Sequence, residues 1–313
     1  MIIKLLHALF KDFISQIKVR GLCEAFQLLV INIRSVLCKN PEPLFLKKHG
    51  LNRKLLDRII SPVSLTETSV SKIEKYRIWV LWWQGEDQMP SLVRSTYNSI
   101  CKSTDKEVVL ITQKNWKDYI KPEQWIEEKV KKRIIKLPAL SDYIRASLLY
   151  QYGGLWVDST ILITKEIPAF VYGCEFFSIH DCYPQTNKYV AKGRWNVQVL
   201  GSNQCHLEVF KYMLHIFTEY WKENNYIMDY LLVDYAIDYA YSHNNKVKQL
   251  VDKLPVTNKN MHVLRAIINK PFEQNYWDEL NNDSWMFKLT YKDTFIDKIE
   301  NVNTYYSYIK SVY

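Results

Sequence analysis

Residues 141–160, "SDYIRASLLYQYGGLWVDST", place Asp142, Arg145 and Asp158 around the pair Gly153-Gly154. Asp142 and Arg145 are three apart, which on a helix puts them on one face. Ser141 can cap a helix that starts at Asp142, its hydroxyl accepting from the first free N–H groups. Gly153 stands where the helix ends and φ turns positive, and Gly154 lets the backbone enter the next strand at once. A helix rises about 1.5 Å per residue, so the two charged residues start roughly 12–16 Å from the turn. Four strand residues at about 3.3 Å each bring the chain back about 13 Å. The spacing therefore predicts a helix–strand hairpin that gathers one guanidinium and two carboxylates. Such a set is either a buried ion network or a chemical site. Asp158, past the carboxyl end of a sheet strand, would lie where α/β folds bind ligands. A carboxylate there can hold a ribose hydroxyl or a divalent ion, and such an ion would bridge a diphosphate and take up charge as a bond to sugar breaks.

The elements around this hairpin alternate. "RIWVLWW" (77–83) is β-branched and aromatic and ends at Gln84-Gly85. "MPSLVRSTYNSICKS" (89–103) reads as a helix with Pro90 at its start, and "EVVLIT" (107–112) as a buried strand. "NWKDYI" and "PEQWIEEKVKKRII" read as helices. Residues 141–152 then form a helix, 155–163 a strand carrying Asp158 partway along, 173–200 strands and loops, and 206–222 and 226–241 helices. Alternation of this kind marks an α/β sheet with crossover connections. Upstream, apolar residues at helical spacing predict one amphipathic helix before Gly21 and a second from about Leu22 to Cys38. "NPEP" (40–43) breaks the pattern, and 44–75 reads as a short basic helix and a loop. The expected division is a basic helical segment, 1–75, and an α/β domain, 76–313.

The chain has 313 residues, 48% of them hydrophobic and 14% aromatic, enough for a sizeable core. Ten Trp and 22 Tyr suit such a core and also clefts that hold sugars or bases. The formal net charge is +9, and residues 1–60 supply most of it, with eleven Lys/Arg against four acids. A basic segment can meet nucleic acid or an anionic membrane face. Nucleic-acid binding needs basic residues interleaved with stacking aromatics, and the near-neutral body argues against it. The amphipathic N-terminus either lies on a membrane surface or packs as an arm on the main domain or a partner. No stretch reaches the ~18 apolar residues of a spanning helix. The six cysteines form no CxxC pair or zinc pattern, and in a chain of this length without a cleavable signal they read as reduced thiols of a cytosolic protein.

The twenty-residue motif resembles the signature of the bacterial capsular polysaccharide synthesis glycosyltransferases, relatives of the DXD-bearing sugar-transfer enzymes with a GT-A fold. "IWVLWWQGEDQMPSLVRSTYNS" (78–99), "VVLITQKNWKDYI" (108–120), "LLVDYAIDYAY" (231–241) and "FKLTYK" (287–292) resemble further blocks of that family. The resemblance spans about residues 76–295. It implies a GT-A-like, Rossmann-type mixed sheet flanked by helices. It implies transfer of a hexose, with retention, from a nucleoside-diphosphate sugar (most simply UDP-linked) to a lipid-linked capsular or surface polysaccharide. Asp142 and Arg145 would then contact the donor's sugar hydroxyls and diphosphate. Asp158 would be the first acid of the DXD motif, touching ribose and a Mn²⁺ or Mg²⁺ ion. Trp79, or the pair Trp82-Trp83, would line the base site, and Gly154 and Asn203 would join the donor set.

One position departs from the DXD pattern: Thr160 replaces the second acid, and a hydroxyl is a far weaker metal ligand than a carboxylate. The ion is then held by Asp158, the diphosphate, water and a downstream residue, or is dispensed with. The same departure motivates a rival reading, a sugar-binding or scaffold protein of this fold without turnover. Asp234, an acid in an otherwise apolar helix, is costly there unless paired or functional, and is a candidate acceptor contact or base. Lys288 is a candidate for neutralising a leaving diphosphate. The expected acceptor is an oligosaccharide on a polyprenyl diphosphate, and the expected location is cytoplasmic, peripheral on the inner face of the cell membrane.

Overall fold

The computed structural model describes residues 2–61, 69–180 and 186–313. Three helices come first: α1 (Ile2–Arg20), α2 (Leu22–Leu37) and α3 (Glu42–Ile59). The α/β body follows with β1 (Arg77–Leu81), α4 (Ser91–Lys102), β2 (Glu107–Ile111), α5 (Leu137–Tyr152), β3 (Gly154–Val157) and β4 (Ile161–Ile163). Next come β5 (Phe177–Ser178), β6 (Val199–Ser202), α6 (Glu208–Glu223), α7 (Leu232–His243) and β7 (Met286–Lys288), with shorter segments between. Cys182 lies outside the described residues.

The central sheet has the order β2-β1-β3-β6-β5. β1 pairs in parallel with both β2 and β3, whereas β6 runs antiparallel to β3 and to β5. The sheet is therefore the expected mixed α/β type. Trp79 and Trp156 point to one layer, packed against α5, α6 and α7, while Ile78, Val80, Leu155 and Val157 point to the other. A strand covered on both faces must be apolar at every position, which explains the unbroken apolar run of "IWVL". Successive parallel strands lie on opposite sides of β1, so the strand order reverses there. A crevice opens outside the carboxyl ends of β1 and β3, the position where α/β sheets take ligands.

Four expectations about elements change. α5 starts at Leu137, not Asp142, because Pro138 in its first turn presets a helical φ. Ser141 is thus no cap. The expected strand 155–163 is two strands, β3 and β4, separated at Asp158–Thr160 by a turn in which the Ile161 amide donates to the Asp158 carbonyl at 2.9 Å. The chain leaves the central sheet there, and β4 pairs with β7 instead. The helix expected from 226 starts at Leu232, since residues 224–231 are held in a loop by other elements. Finally, α3 is not part of an appendage. It is 18 residues long, and Leu55, Leu56 and the following Ile60 sit in the same core cluster as α5 and α7. Arg53 of α3 donates to Asp238 of α7 at 2.7 Å.

The Gly153-Gly154 turn is closely packed. Both residues have positive φ, +62° and +87°. A Cβ on Gly154 would lie 2.3 Å from the Arg77 carbonyl oxygen, and the Trp79 indole N–H donates to the Gly153 carbonyl at 2.8 Å. Glycine is therefore required for space as well as for φ. Gly154→Ala should lower stability by about 3 kcal/mol or more. Gly85→Ala, where φ is +91° but the space is open, should cost only about 1–2 kcal/mol. Urea denaturation of both variants measures the contrast, and equal losses would refute the steric account.

Candidate active site

α5 and β3 deliver the expected convergence. The Arg145 guanidinium donates from Nη1 to Asp142 Oδ1 and from Nη2 to Asp158 Oδ1, each at 3.1 Å. It also lies over the Trp156 ring, 4.9 Å from the centroid. Trp156 Nε1 donates to the same Asp158 oxygen at 2.9 Å. Trp156 and Asp158 are two apart along the strand direction and so share a face. Arg145 is buried, with 5% of its surface exposed, whereas the two carboxylates reach the cavity. The turn that presents Asp158 is fixed from three sides: its amide donates to Gln198 O at 2.9 Å, Thr96 Oγ1 donates to Ser159 O at 2.6 Å, and Leu289 N donates to Thr160 O at 2.9 Å.

β7 brings in a fourth charge from far along the chain. Lys288 is the register partner of Ile161, and its Nζ donates to Asp158 Oδ2 at 3.0 Å and to Thr160 Oγ1 at 2.7 Å. Its amide donates to Met261 O at 2.7 Å, which anchors the strand. Thr160 is thereby not idle; it shares the ammonium with Asp158.

A cavity of about 510 Å³ opens on this cluster, within the ~300–1,000 Å³ of small-molecule sites. Its walls include Trp82 and Trp83 after β1, Asp142, Arg145, Asp158 and Thr160, and Asp234 at the start of α7. Asp234 is buried and accepts from Trp195 Nε1 at 2.9 Å. A second cavity, about 840 Å³, shares Asp158, Thr160, Tyr189, Gln198, Tyr230 and Tyr291 with the first and is otherwise lined by Arg265, Lys288 and Lys292 among others. Trp156, Trp195, Tyr189 and Tyr291 also line the first cavity or hold its acids, and sequence reasoning passed over them. Only Trp156 carried a readable signal, its two-residue spacing from Asp158.

Three candidates fall outside the site. Trp79 is fully buried between Tyr119 and Tyr152 and supports the glycine turn from below, because strand alternation turns its ring into the core. Gly154 and Asn203 lie at the opposite end of the sheet from Asp158: Gly154 pairs with Ser202 where β3 begins. Asn203 spends its side-chain amide on Gly173 O at 2.8 Å. Both are structural.

The donor set does not fit a divalent ion at Asp158. Both carboxylate oxygens already accept from cationic or indole donors, Thr160 is neutral, and an ammonium lies between them. Among the described residues no group of three or more His, Cys, Asp or Glu is placed to hold a metal.

The electrostatics separate the three acids. Burial alone would raise the Asp158 carboxyl, but Lys288 and Arg145 outweigh it and hold the group below the ordinary range. Burial pushes Asp142 up to about 7; Arg145 opposes this, and Asp158 and Asp234 add to it. Burial likewise pushes Asp234 up to about 6, against the Trp195 hydrogen bond and Arg145. Near neutral pH the site holds one firm carboxylate and two acids close to their midpoints.

A carboxyl that binds its proton more tightly in the folded chain stabilises the fold fully below its unfolded value, and that contribution is lost as pH rises through the folded value. For Asp142 the window runs from 3.8 to about 7. Asp142→Asn should therefore flatten the fall of stability across that window, by a few kcal/mol on the order of the shift. Urea midpoints at a series of pH values test this; parallel profiles for variant and wild type would refute it.

The chain matches the family described as capsular polysaccharide synthesis protein over residues 45–309. The match begins inside α3, the helix that packs into the core. No curated protein and no solved structure matches the chain.

Proposed function

The chain belongs to the capsular polysaccharide synthesis family, and from that premise we propose that it is a glycosyltransferase using a nucleoside-diphosphate sugar. The observation that carries this reading is the meeting of Arg145, Asp158 and Lys288 where the cavity lined by Trp82 and Trp83 joins the second one. An aromatic wall suits a nucleobase, most simply uracil. Two fixed cations suit a diphosphate. Asp142 and Asp234, poised between protonated and ionised, can donate to or accept from sugar hydroxyls.

In this reading the nucleoside end of the donor fills the first cavity, its diphosphate lies at Asp158 and Thr160, where the two cavities meet beside Lys288, and the acceptor approaches through the second, where Arg265 and Lys292 suit an acceptor that itself carries a diphosphate. The acceptor hydroxyl attacks the anomeric carbon. The bond from that carbon to the diphosphate oxygen breaks, and its electron pair leaves with the diphosphate. The hydroxyl proton passes to the departing diphosphate, so no strong base is needed, and the configuration is retained as the family resemblance implies. The protein's contribution is charge stabilisation of the leaving group by groups already in place. A carrier-linked oligosaccharide of a growing surface polysaccharide is the acceptor class.

The N-terminal helices support a location at a membrane surface. Phe10, Leu22, Phe26 and Leu37 are each more than half exposed on α1 and α2 or at their ends, beside Lys11, Lys18, Arg34 and Lys39. Among the described residues no helix is long and apolar enough to cross a membrane. Exposed apolar residues among basic ones suit shallow insertion into an anionic surface, here the inner leaflet that carries a polyprenyl-linked acceptor.

Two experiments test these statements. A thermal-shift panel of nucleoside diphosphates and their sugars should show one compound that raises the wild-type midpoint and fails to raise that of Asp158→Asn. Silence across the whole panel would refute the donor reading. In vesicle sedimentation, the triple variant Phe10→Ser, Leu22→Ser, Phe26→Ser should lose most binding to anionic phosphatidylglycerol vesicles, and undiminished binding would remove the membrane claim. Neutral phosphatidylcholine vesicles should bind neither protein well.

A further inference from the structure

The Asp158–Thr160 turn and β7 build a seat for a cation and fill it with a side chain. We propose that the ε-ammonium of Lys288 takes the place of a divalent ion at the donor diphosphate, so that nucleotide binding and leaving-group stabilisation proceed without metal. This rests on the donor reading above and concerns the junction of the two cavities at Asp158 and Thr160.

Charge matching is the first argument. Two acids at positions 158 and 160 would balance a divalent ion; one acid and one hydroxyl balance a single positive charge. The observed pair is Asp158 and Thr160, and the charge between them is one ammonium, at 3.0 Å and 2.7 Å. The lone pairs give the second. Asp158 Oδ1 already accepts from Arg145 and Trp156, and Oδ2 accepts from Lys288, which leaves little room for the close oxygen contacts of Mg²⁺ or Mn²⁺.

The seat is also built rather than incidental. Lys288 is paired across β4 and β7, its amide is tied to Met261, and the amides of Trp285, just before the strand, and of Met286, its first residue, both donate to Asn258 Oδ1 at 2.8 Å. Asn258 is fully buried. An ammonium has three N–H donors. Asp158 and Thr160 take two, and the third is available to a diphosphate oxygen in the cavity that Lys288 lines. Removing a charge-assisted hydrogen bond to phosphate weakens affinity by about ten-fold or more.

Calorimetric titration with UDP, GDP, CDP and ADP in EDTA, then in millimolar Mn²⁺ or Mg²⁺, tests this. One nucleoside diphosphate should bind the wild type in EDTA, with an affinity changed less than about three-fold by either ion. Lys288→Ala should weaken that nucleotide about ten-fold or more, while the matching nucleoside, which lacks the diphosphate, binds both proteins alike. Wild-type binding that appears only with metal overturns the proposal and leaves the donor reading standing, and this arm needs no variant to fold. Equal affinity of Lys288→Ala and wild type for the diphosphate also overturns it. Failure of all four nucleotides under every condition sinks the donor reading itself, and the proposal with it.

Discussion

The guanidinium of Arg145 is the constraint around which the rest is arranged. It is buried on a helix whose neighbouring layers are apolar, and a buried charge needs partners. Asp142 supplies one from its own helix, Asp158 supplies one from the next strand, and the Trp156 ring covers its face. The glycine turn exists to return the chain to this point within two residues. With Lys288 added, three carboxyl groups face two permanent cations. Were all three acids ionised, the site would carry excess negative charge and repel a diphosphate. Burial raises Asp142 and Asp234 towards neutrality and so lets the two cations prevail. The acids that appear to oppose an anionic ligand thus become compatible with one through their own desolvation.

That balance also explains why Thr160 is not a defect. A second carboxylate at 160 beside Asp158, Asp142 and Asp234 would leave the local charge strongly negative unless a divalent ion were present. A hydroxyl accepts from Lys288 at no cost in charge. Thr160 and Lys288, 128 residues apart, act as one hydrogen-bonded pair.

How much of this was legible in the sequence follows from range. The meeting of Asp142, Arg145 and Asp158 depends on a helix rise, a strand rise and a glycine turn, all local, and the arithmetic carried it even though α5 starts earlier than Ser141. The break after Asp158 was hidden because "LWVDSTILI" is apolar on both sides of it; only the pairing of β4 with β7 ends the strand there. Trp79 was misplaced for a reason the sequence does contain. In a strand buried on both faces every ring points into a layer, and only Trp82 and Trp83, past the last strand residue, are free to line a cavity. Asn203 was misplaced for a reason it does not contain, since nothing local says that β6 runs antiparallel to β3. Lys288 was a candidate by charge alone. Its partner was invisible until the fold supplied it.

The N-terminal helices are tied to the same cavity through the loop 224–231. Gln16 donates to Ile227 O at 3.2 Å, and Arg20 donates to Met228 O at 3.2 Å and to Asn52 of α3 at 3.0 Å. Lys48 and Asn52 hold Asp229 from the other side. Ile227, Tyr230 and Leu231 of that loop line the first cavity. Arg20 is buried, and burial lowers its proton affinity, so it acts as an internal tie and not as a surface charge. The basic charge of the first sixty residues therefore divides into two kinds. Arg20 and Lys48 hold the loop that walls the cavity, and Arg53 ties α3 to Asp238 of α7. Lys11, Lys18, Lys39 and Arg34 face outward beside exposed apolar residues. A segment that composition marks as one basic arm is by contact two layers, the inner one part of the site and the outer one free to meet a surface. Removing the segment whole would disturb both at once, which is why only substitutions confined to the outer layer can separate docking from the integrity of the cavity.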